Sequence, residues 1–260
     1  MNLLLGTSEH KSSSLDSTRI TMGHISAVIF DLDGTLIRSR HDYREMARRV
    51  EAILADEGVL EDELNEPRKV WQIIRGGLEA LEGLGLSSER VERTLQRINE
   101  ALNSVELLSL DSVEPVPGAQ EALNLIKARG IRIGIATRAG RPYAERSLEV
   151  AGLTEYIDAI LARDEVEHPK PDPRHLLQLV GSLGASREST LYIGDTTTDL
   201  TTARAAEITF VAFAGDRNWV ARLREAGCDS FISDIREIVD VIDGTKPALK
   251  IQKGDTNRFF

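Results

Sequence analysis

The chain has 260 residues, 41 % of them hydrophobic, with 42 acidic against 32 basic side chains and a formal charge of −10. That length allows one large or two smaller domains with a real core, and the balance is that of a soluble globular protein. The negative field disfavours nucleic acid and anionic membrane, a single cysteine excludes an internal disulfide or a Cys-rich zinc site, and no apolar run nears the ~18 residues of a membrane span.

Residues 1–24 read as a flexible tail. Their apolar start is only Leu3-Leu4-Leu5 with no basic residue before it, so a secretory signal is not expected, and Met22 is a candidate translation start. Apolar runs at 25–30, 131–136, 157–161, 190–193, 208–213 and 230–232 suit buried parallel strands. Helices are expected between them. One over 119–129 ends at Gly130, and Pro142 and Pro173 stand where first-turn prolines belong, the latter after Asp172 as N-cap. Between 38 and 113 only helical periodicity is found: Tyr43, Met46, Ala47, Val50, Ile53 and Leu54, then Val70, Ile73, Ile74 and Leu81, then Val91, Leu95, Ile98, Leu102 and Val105. The rejoining stretch 113–118 has two prolines and predicts a stiff hinge. The expected class is therefore α/β, a Rossmann-like parallel sheet with helices on both faces plus an inserted all-helical cap. The core is assigned to 25–37 and 114–243, the cap to 38–113, and a second flexible tail to 244–260.

Four places carry chemistry. Asp31-Leu32-Asp33-Gly34-Thr35 follows the first strand, and side-chain alternation puts Asp31 and Asp33 on one side with Leu32 facing away. Two crowded carboxylates favour a bound hard cation, for which Mg²⁺ is the natural choice, and Gly34 permits a sharp turn. Thr137-Arg138 ends the second strand, where a hydroxyl and the next N–H either hold a phosphate oxygen or simply make a turn. Lys170 lies within His168-Pro-Lys-Pro-Asp-Pro173, where flanking prolines aim an otherwise floppy cation. Asp195 and Asp199 follow the fourth strand. Asp195 is a candidate third oxygen ligand, while Asp199 either orients a metal-bound water or Lys170, or forms an N-cap pair with it. All four places fall at the carboxyl edge of the expected sheet, where ligands bind in open α/β folds.

Asp31-Leu-Asp-Gly-Thr-Leu36, Thr137, Lys170 and Gly194-Asp195-xxx-Asp199 resemble the four motifs of the haloacid dehalogenase superfamily, in order, over roughly residues 26–240. The helical insertion after the first motif is similar to the cap of its phosphoglycolate phosphatase-like branch. The resemblance implies a Mg²⁺-dependent phosphatase in which Asp31 attacks phosphorus and Asp33 acts as general acid and then base. It also implies metal ligation by Asp31, Asp195 and the Asp33 carbonyl, phosphoryl binding by Thr137 and the Arg138 N–H, and charge compensation by Lys170. Where relatives of this branch often carry an acidic residue, this chain has Arg38, followed by Ser39-Arg40-His41. Arg38 and Arg40 either grip a second anionic group on the substrate or are solvated at a helix start, and Arg141 is read the same way. Trp71 and Trp219 are expected to pack, and Cys228 to be buried. The expected partner is a small phosphorylated metabolite, with no nucleic acid and no membrane, acted on by a cytoplasmic monomer or homodimer. A phosphomutase on the same core and a non-catalytic phosphometabolite-binding protein are the alternatives.

Overall fold

The computed structural model describes residues 25–59, 69–215, 217–245 and 249–250. Residues 1–24, including Met22, lie outside them, as do 251–260. Seven strands form one sheet in the order β5-β4-β1-β6-β7-β8-β9: β1 (Ala27–Phe30), β4 (Arg132–Ala136), β5 (Ala159–Leu161), β6 (Thr190–Gly194), β7 (Thr209–Phe213), β8 (Ser230–Ile232) and β9 (Leu249–Lys250). The first six are parallel, while β9 joins β8 antiparallel. Leu249 and Lys250 fall within the stretch read from sequence as a tail. The expected strands are all present, most of them trimmed by a residue or two at the ends.

Strand alternation sorts the core into two layers. Val28 and Phe30 face an apolar cluster built with helices α4 (Ala119–Ala128), α5 (Arg141–Val150) and α9 (Glu237–Ile242). Ala27 and Ile29 face the opposite layer, shared with α6 (Pro173–Ser182) and α7 (Thr197–Ala206). Pro173 opens α6 after the Asp172 side chain has accepted the Arg174 N–H, as its sequence predicts. From β1 the chain moves outward through β4 and β5, then returns to β6 on the other side of β1. The reversal opens a crevice at the carboxyl end of β1, the position at which such sheets bind ligands.

Helices α1 (Tyr43–Asp56), α2 (Val70–Gly83) and α3 (Ser88–Leu107) pack around their own apolar cluster, which includes Met46, Val50, Leu54, Ile73, Leu81, Ile98 and Leu102. Tyr43 departs from the expected stripe. It is the first residue of α1 and 62 % exposed, because the apolar face begins one turn later at Met46. No strand was expected in this insertion, yet its two connections pair as short antiparallel strands, β2 (Ile37–Arg38) with β3 (Glu114–Pro115). Two residues per strand are too few to leave a periodic signal. No helix among the described residues is long and apolar enough to cross a membrane.

Candidate active site

Asp31 is the first residue past β1, and its N–H donates to the Ile193 carbonyl at 2.8 Å, fixing it at the crevice. The chain then turns back tightly, with Leu36 and Ile37 N–H both donating to the Leu32 carbonyl while Leu32 itself is fully buried in the core. Gly34 makes the turn at φ +90°, and a Cβ there would lie 2.4 Å from Asp195 Oδ2. Only glycine lets the loop after β1 and the end of β6 come this close.

Lys170 is 3 % exposed and stands at the centre of the site. Its Nζ donates to Asp31 Oδ1 at 2.6 Å, Asp199 Oδ1 at 2.7 Å and the Tyr192 hydroxyl at 2.9 Å. Its backbone N–H donates to His175 Nδ1 at 3.1 Å, and His175 Nε2 lies 2.9 Å from the Leu161 carbonyl. An Nδ1 that accepts and an Nε2 that donates define the neutral imidazole. Burial holds the His175 pKa down at about 4, which favours the same form.

Asp199 Oδ1 accepts from Lys170 and Tyr192, and its Oδ2 accepts from the Thr196 hydroxyl at 2.6 Å and the Thr196 N–H at 3.1 Å. Four donors use the capacity of a carboxylate. Burial opposes its charge, but the Lys170 ammonium and these hydrogen bonds prevail and hold its pKa below the usual range. Asp199 also closes a capping box with Thr196 at the start of α7, so it both caps the helix and orients Lys170.

Asp31 and Asp195 are in the opposite situation. Burial pushes Asp31 up to about 7, with Lys170 opposing and Asp199 adding to the rise. Burial, then Asp31 and Asp199, push Asp195 well above its usual range. Ligand atoms of Asp31, Asp195 and Asp199 lie within 4.8 Å of one another. Hard oxygen donors that resist ionising together fit a small divalent cation such as Mg²⁺, which removes that penalty. Since the oxygens of Asp199 are already committed, Asp31 and Asp195 are the carboxylates suited to hold it.

Asp33 was expected beside Asp31 with its side chain toward the same space. Its Oδ1 is held by the hinge and by α5, and its charge still acts on Asp31. Its Oδ1 accepts from the Ser39 hydroxyl at 2.6 Å and the Tyr143 hydroxyl at 2.9 Å, and lies 3.2 Å from His41 Nε2. His41 is braced in turn by Ser109 Oγ, 3.0 Å from Nδ1, and by the Tyr143 ring at a centroid distance of 4.8 Å.

Thr137 is buried, and its hydroxyl accepts the Ala139 N–H at 3.0 Å, leaving its own proton for an outside acceptor. Arg138 follows it, half-buried. Arg38 and Arg40 are exposed, so the structure does not bring their positions into the buried cluster, and Arg141 pairs with Glu145 and Glu165. Cys228 is buried as expected.

Sequence reading missed Tyr192, His175, Ser39, His41 and Tyr143. A tyrosine inside the apolar strand β6 was a usable signal, since a buried hydroxyl seeks a partner. The hinge offered another: in 38–41 the odd positions face in and the even ones out, so the useful residues were Arg38's and Arg40's neighbours.

Comparison with known proteins gives four findings. The profile of the haloacid dehalogenase-like hydrolases matches residues 28–213. A phosphoglycolate phosphatase of Rhodospirillum rubrum is 32 % identical over 193 residues, covering 72 % of this chain and 79 % of its own. The pyrophosphatase PpaX of Halalkalibacterium halodurans is 26 % identical over 230 residues, 84 % of this chain and 97 % of its own. Among solved structures, a hydrolase from Pseudomonas syringae superposes with a TM-score of 0.55 at 26 % identity, covering 84 % of this chain and 98 % of that one.

Proposed function

The chain belongs to the haloacid dehalogenase-like hydrolases, as a phosphatase among phosphatase relatives, and we propose that it hydrolyses a small phosphomonoester with Mg²⁺ through an aspartyl-phosphate. The observation that carries this reading is the buried Lys170, held between Asp31 and Asp199 at the carboxyl edge of the sheet.

Asp31 is the nucleophile in this reading. A carboxylate approaching a phosphate dianion meets strong repulsion, and Lys170 lies within 2.6 Å of it to offset that charge as the transition state forms. Mg²⁺ held by Asp31, Asp195 and the Asp33 carbonyl supplies further charge compensation when bound. The Thr137 hydroxyl and the Arg138 N–H hold the phosphoryl oxygens. Asp33 gives a proton to the departing oxygen, then takes one from the water that hydrolyses the acyl phosphate on Asp31. Because Ser39, His41 and Tyr143 all hold Oδ1, Oδ2 is the oxygen left for that transfer. Gly34 keeps the acidic loop close enough to Asp195 for the two to share a cation. Helices α1–α3, within the insertion at 38–113, act as a cap over the site that excludes water from the first step. Arg38 and Arg40, at the hinge, would meet a substrate only at its outer end. The reading places the enzyme in the cytoplasm, acting on a soluble metabolite.

The test is release of inorganic phosphate from a panel of phosphate esters, with Mg²⁺ or with EDTA, by the wild type and Asp31→Asn. Turnover is expected only with Mg²⁺ and to fall by more than about a thousandfold in the variant. Equal turnover by both proteins, or none by the folded wild type, would overturn the reading.

A further inference from the structure

In the mechanism Asp33 gives a proton to the departing oxygen and then takes one from water. A carboxyl with that task has to be held in one direction, because a misplacement of about 1 Å near the reacting atoms can cost a hundredfold in rate. Its side chain is 23 % exposed. Water could therefore satisfy its charge, but solvation would not fix its rotamer.

Three side chains meet on one of its oxygens. Oδ1 has Ser39 Oγ at 2.6 Å, the Tyr143 hydroxyl at 2.9 Å and His41 Nε2 at 3.2 Å. Among the described residues every hydrogen bond to this carboxylate falls on Oδ1, and Oδ2 receives none. Two of the three holders are themselves rigid. Tyr143 is fully buried in the apolar cluster it shares with Phe30 and Leu32, so packing fixes its ring and the hydroxyl is its polar part. The His41 side chain is 5 % exposed, and its ring stands edge-on to Tyr143 at 4.8 Å and to Tyr43 at 5.7 Å.

His41 is also fixed from behind. Ser109 Oγ lies 3.0 Å from Nδ1, and the Ser109 hydroxyl donates to the Glu106 carbonyl in the last turn of α3 at 2.7 Å. Glu106 Oε2 in turn accepts the Gly140 N–H at 2.8 Å, close to Thr137 and Arg138. The end of α3 thus holds both the brace of Asp33 and the loop expected to bind the phosphoryl group. A reacting group kept in place by neighbours whose own rotamers are locked is the arrangement that precise chemistry requires.

We propose that His41 and Tyr143 are positioning residues for the general acid: by holding Oδ1 they present Oδ2 to the departing oxygen of the ester. This rests on the phosphatase reading and deepens it. In the first step a bond forms between Asp31 and phosphorus and the bond from phosphorus to the ester oxygen breaks. The proton on Asp33 passes to that oxygen, leaving Asp33 ionised. A strongly basic leaving oxygen needs the proton, whereas a weakly basic one departs without it. Loss of either holder therefore penalises an ester according to the basicity of its leaving group. A general loosening of the fold would penalise all esters alike.

The test is kcat/KM with Mg²⁺ on phenyl, 4-nitrophenyl and 2,4-dinitrophenyl phosphate, which share a core shape and differ in leaving-group basicity. This ratio covers only the steps up to the aspartyl-phosphate, so the later role of Asp33 as base does not enter. Tyr143→Phe and His41→Leu should each lose about tenfold or more on phenyl phosphate and less than about threefold on the dinitrophenyl ester. His41→Gln, whose amide reaches the place of Nε2, should recover most of the loss. The selectivity is a ratio within each protein, so a partly unfolded preparation does not distort it. Tyr143→Phe keeps the buried ring and serves if His41→Leu fails to fold. The proposal is overturned if the variants keep wild-type values, or if their losses are equal on all three esters. Failure of the phosphatase reading would show separately, as the absence of Asp31-dependent phosphate release from any ester by the wild type.

Discussion

Lys170 is a costly residue to bury, and its neighbours show how the cost is met. An ammonium ion leaves water only when each of its protons finds an acceptor, and Asp31, Asp199 and the Tyr192 hydroxyl supply one each. His175 fixes where that ammonium starts by accepting the Lys170 N–H, and it must stay neutral to do so. This has a consequence for stability. Its pKa is about 4 in the folded protein against 6.5 for an ordinary histidine. The unfolded chain therefore binds the proton more readily. The contribution of neutral His175 is complete above pH 6.5 and is lost as pH falls from there to about 4. The full loss amounts to about 3 kcal/mol. Urea unfolding followed from pH 7 to pH 4 should show the wild type losing up to that much more stability than His175→Gln, whose amide accepts and donates without titrating. Parallel curves would contradict the neutral assignment.

At the scale of elements, the helical insertion is joined to the core by more than its hinge. Arg163, just after β5, donates to Glu106 Oε1 at 2.6 Å, to Asn103 Oδ1 at 2.6 Å, to Asn99 Oδ1 at 3.0 Å and to the Arg138 carbonyl at 2.8 Å. Glu106, near the end of α3, also accepts the Gly140 N–H at 2.8 Å. One buried ion pair thus ties α3 to the loop that carries Thr137 and Arg138. Removing one partner strands the other charge, which is the costly way to break such a pair. Glu106→Ala is expected to lower unfolding stability by about 3–5 kcal/mol, and Glu106→Leu with Arg163→Met to restore a good part of it. Denaturant titration of the single and double variants checks this, and additive losses would show that the two side chains are not coupled.

Taken as a whole, the molecule concentrates its unfavourable electrostatics at the carboxyl edge of one sheet. Burial pushes both Asp31 and Asp195 up, Asp199 adds to each and Asp31 adds to Asp195, a penalty that a packed core would not carry. A site built to receive a cation should stabilise the fold when filled, by mass action, and a residue kept for that purpose should cost stability when it is empty. Without Mg²⁺, Asp195→Asn is expected to melt at least as high as the wild type. With Mg²⁺, the wild type should rise by several degrees and the variant should not. Thermal melts with EDTA and with millimolar Mg²⁺ decide the matter, and an equal rise in both proteins would remove Asp195 from the metal site.

The amino-acid sequence by itself determined the layered α/β core, the inserted helices and the line of Asp31, Thr137, Lys170, Asp195 and Asp199 along one edge. Each of these rests on local signals: apolar runs of strand length, helical periodicity, and polar residues directly after strands. What surrounds Asp33 was decided only by the tertiary structure. Ser39 and His41 come from the hinge, Ser109 from just past α3, and Tyr143 from α5, 110 residues beyond Asp33. The same holds for the meeting of Glu106 with Arg163. These pairings depend on how the helical insertion settles on the sheet, and no local periodicity encodes the packing of one apolar cluster against another. Polar contacts between distant segments follow from that packing, so their chemistry became legible only once the chain had folded.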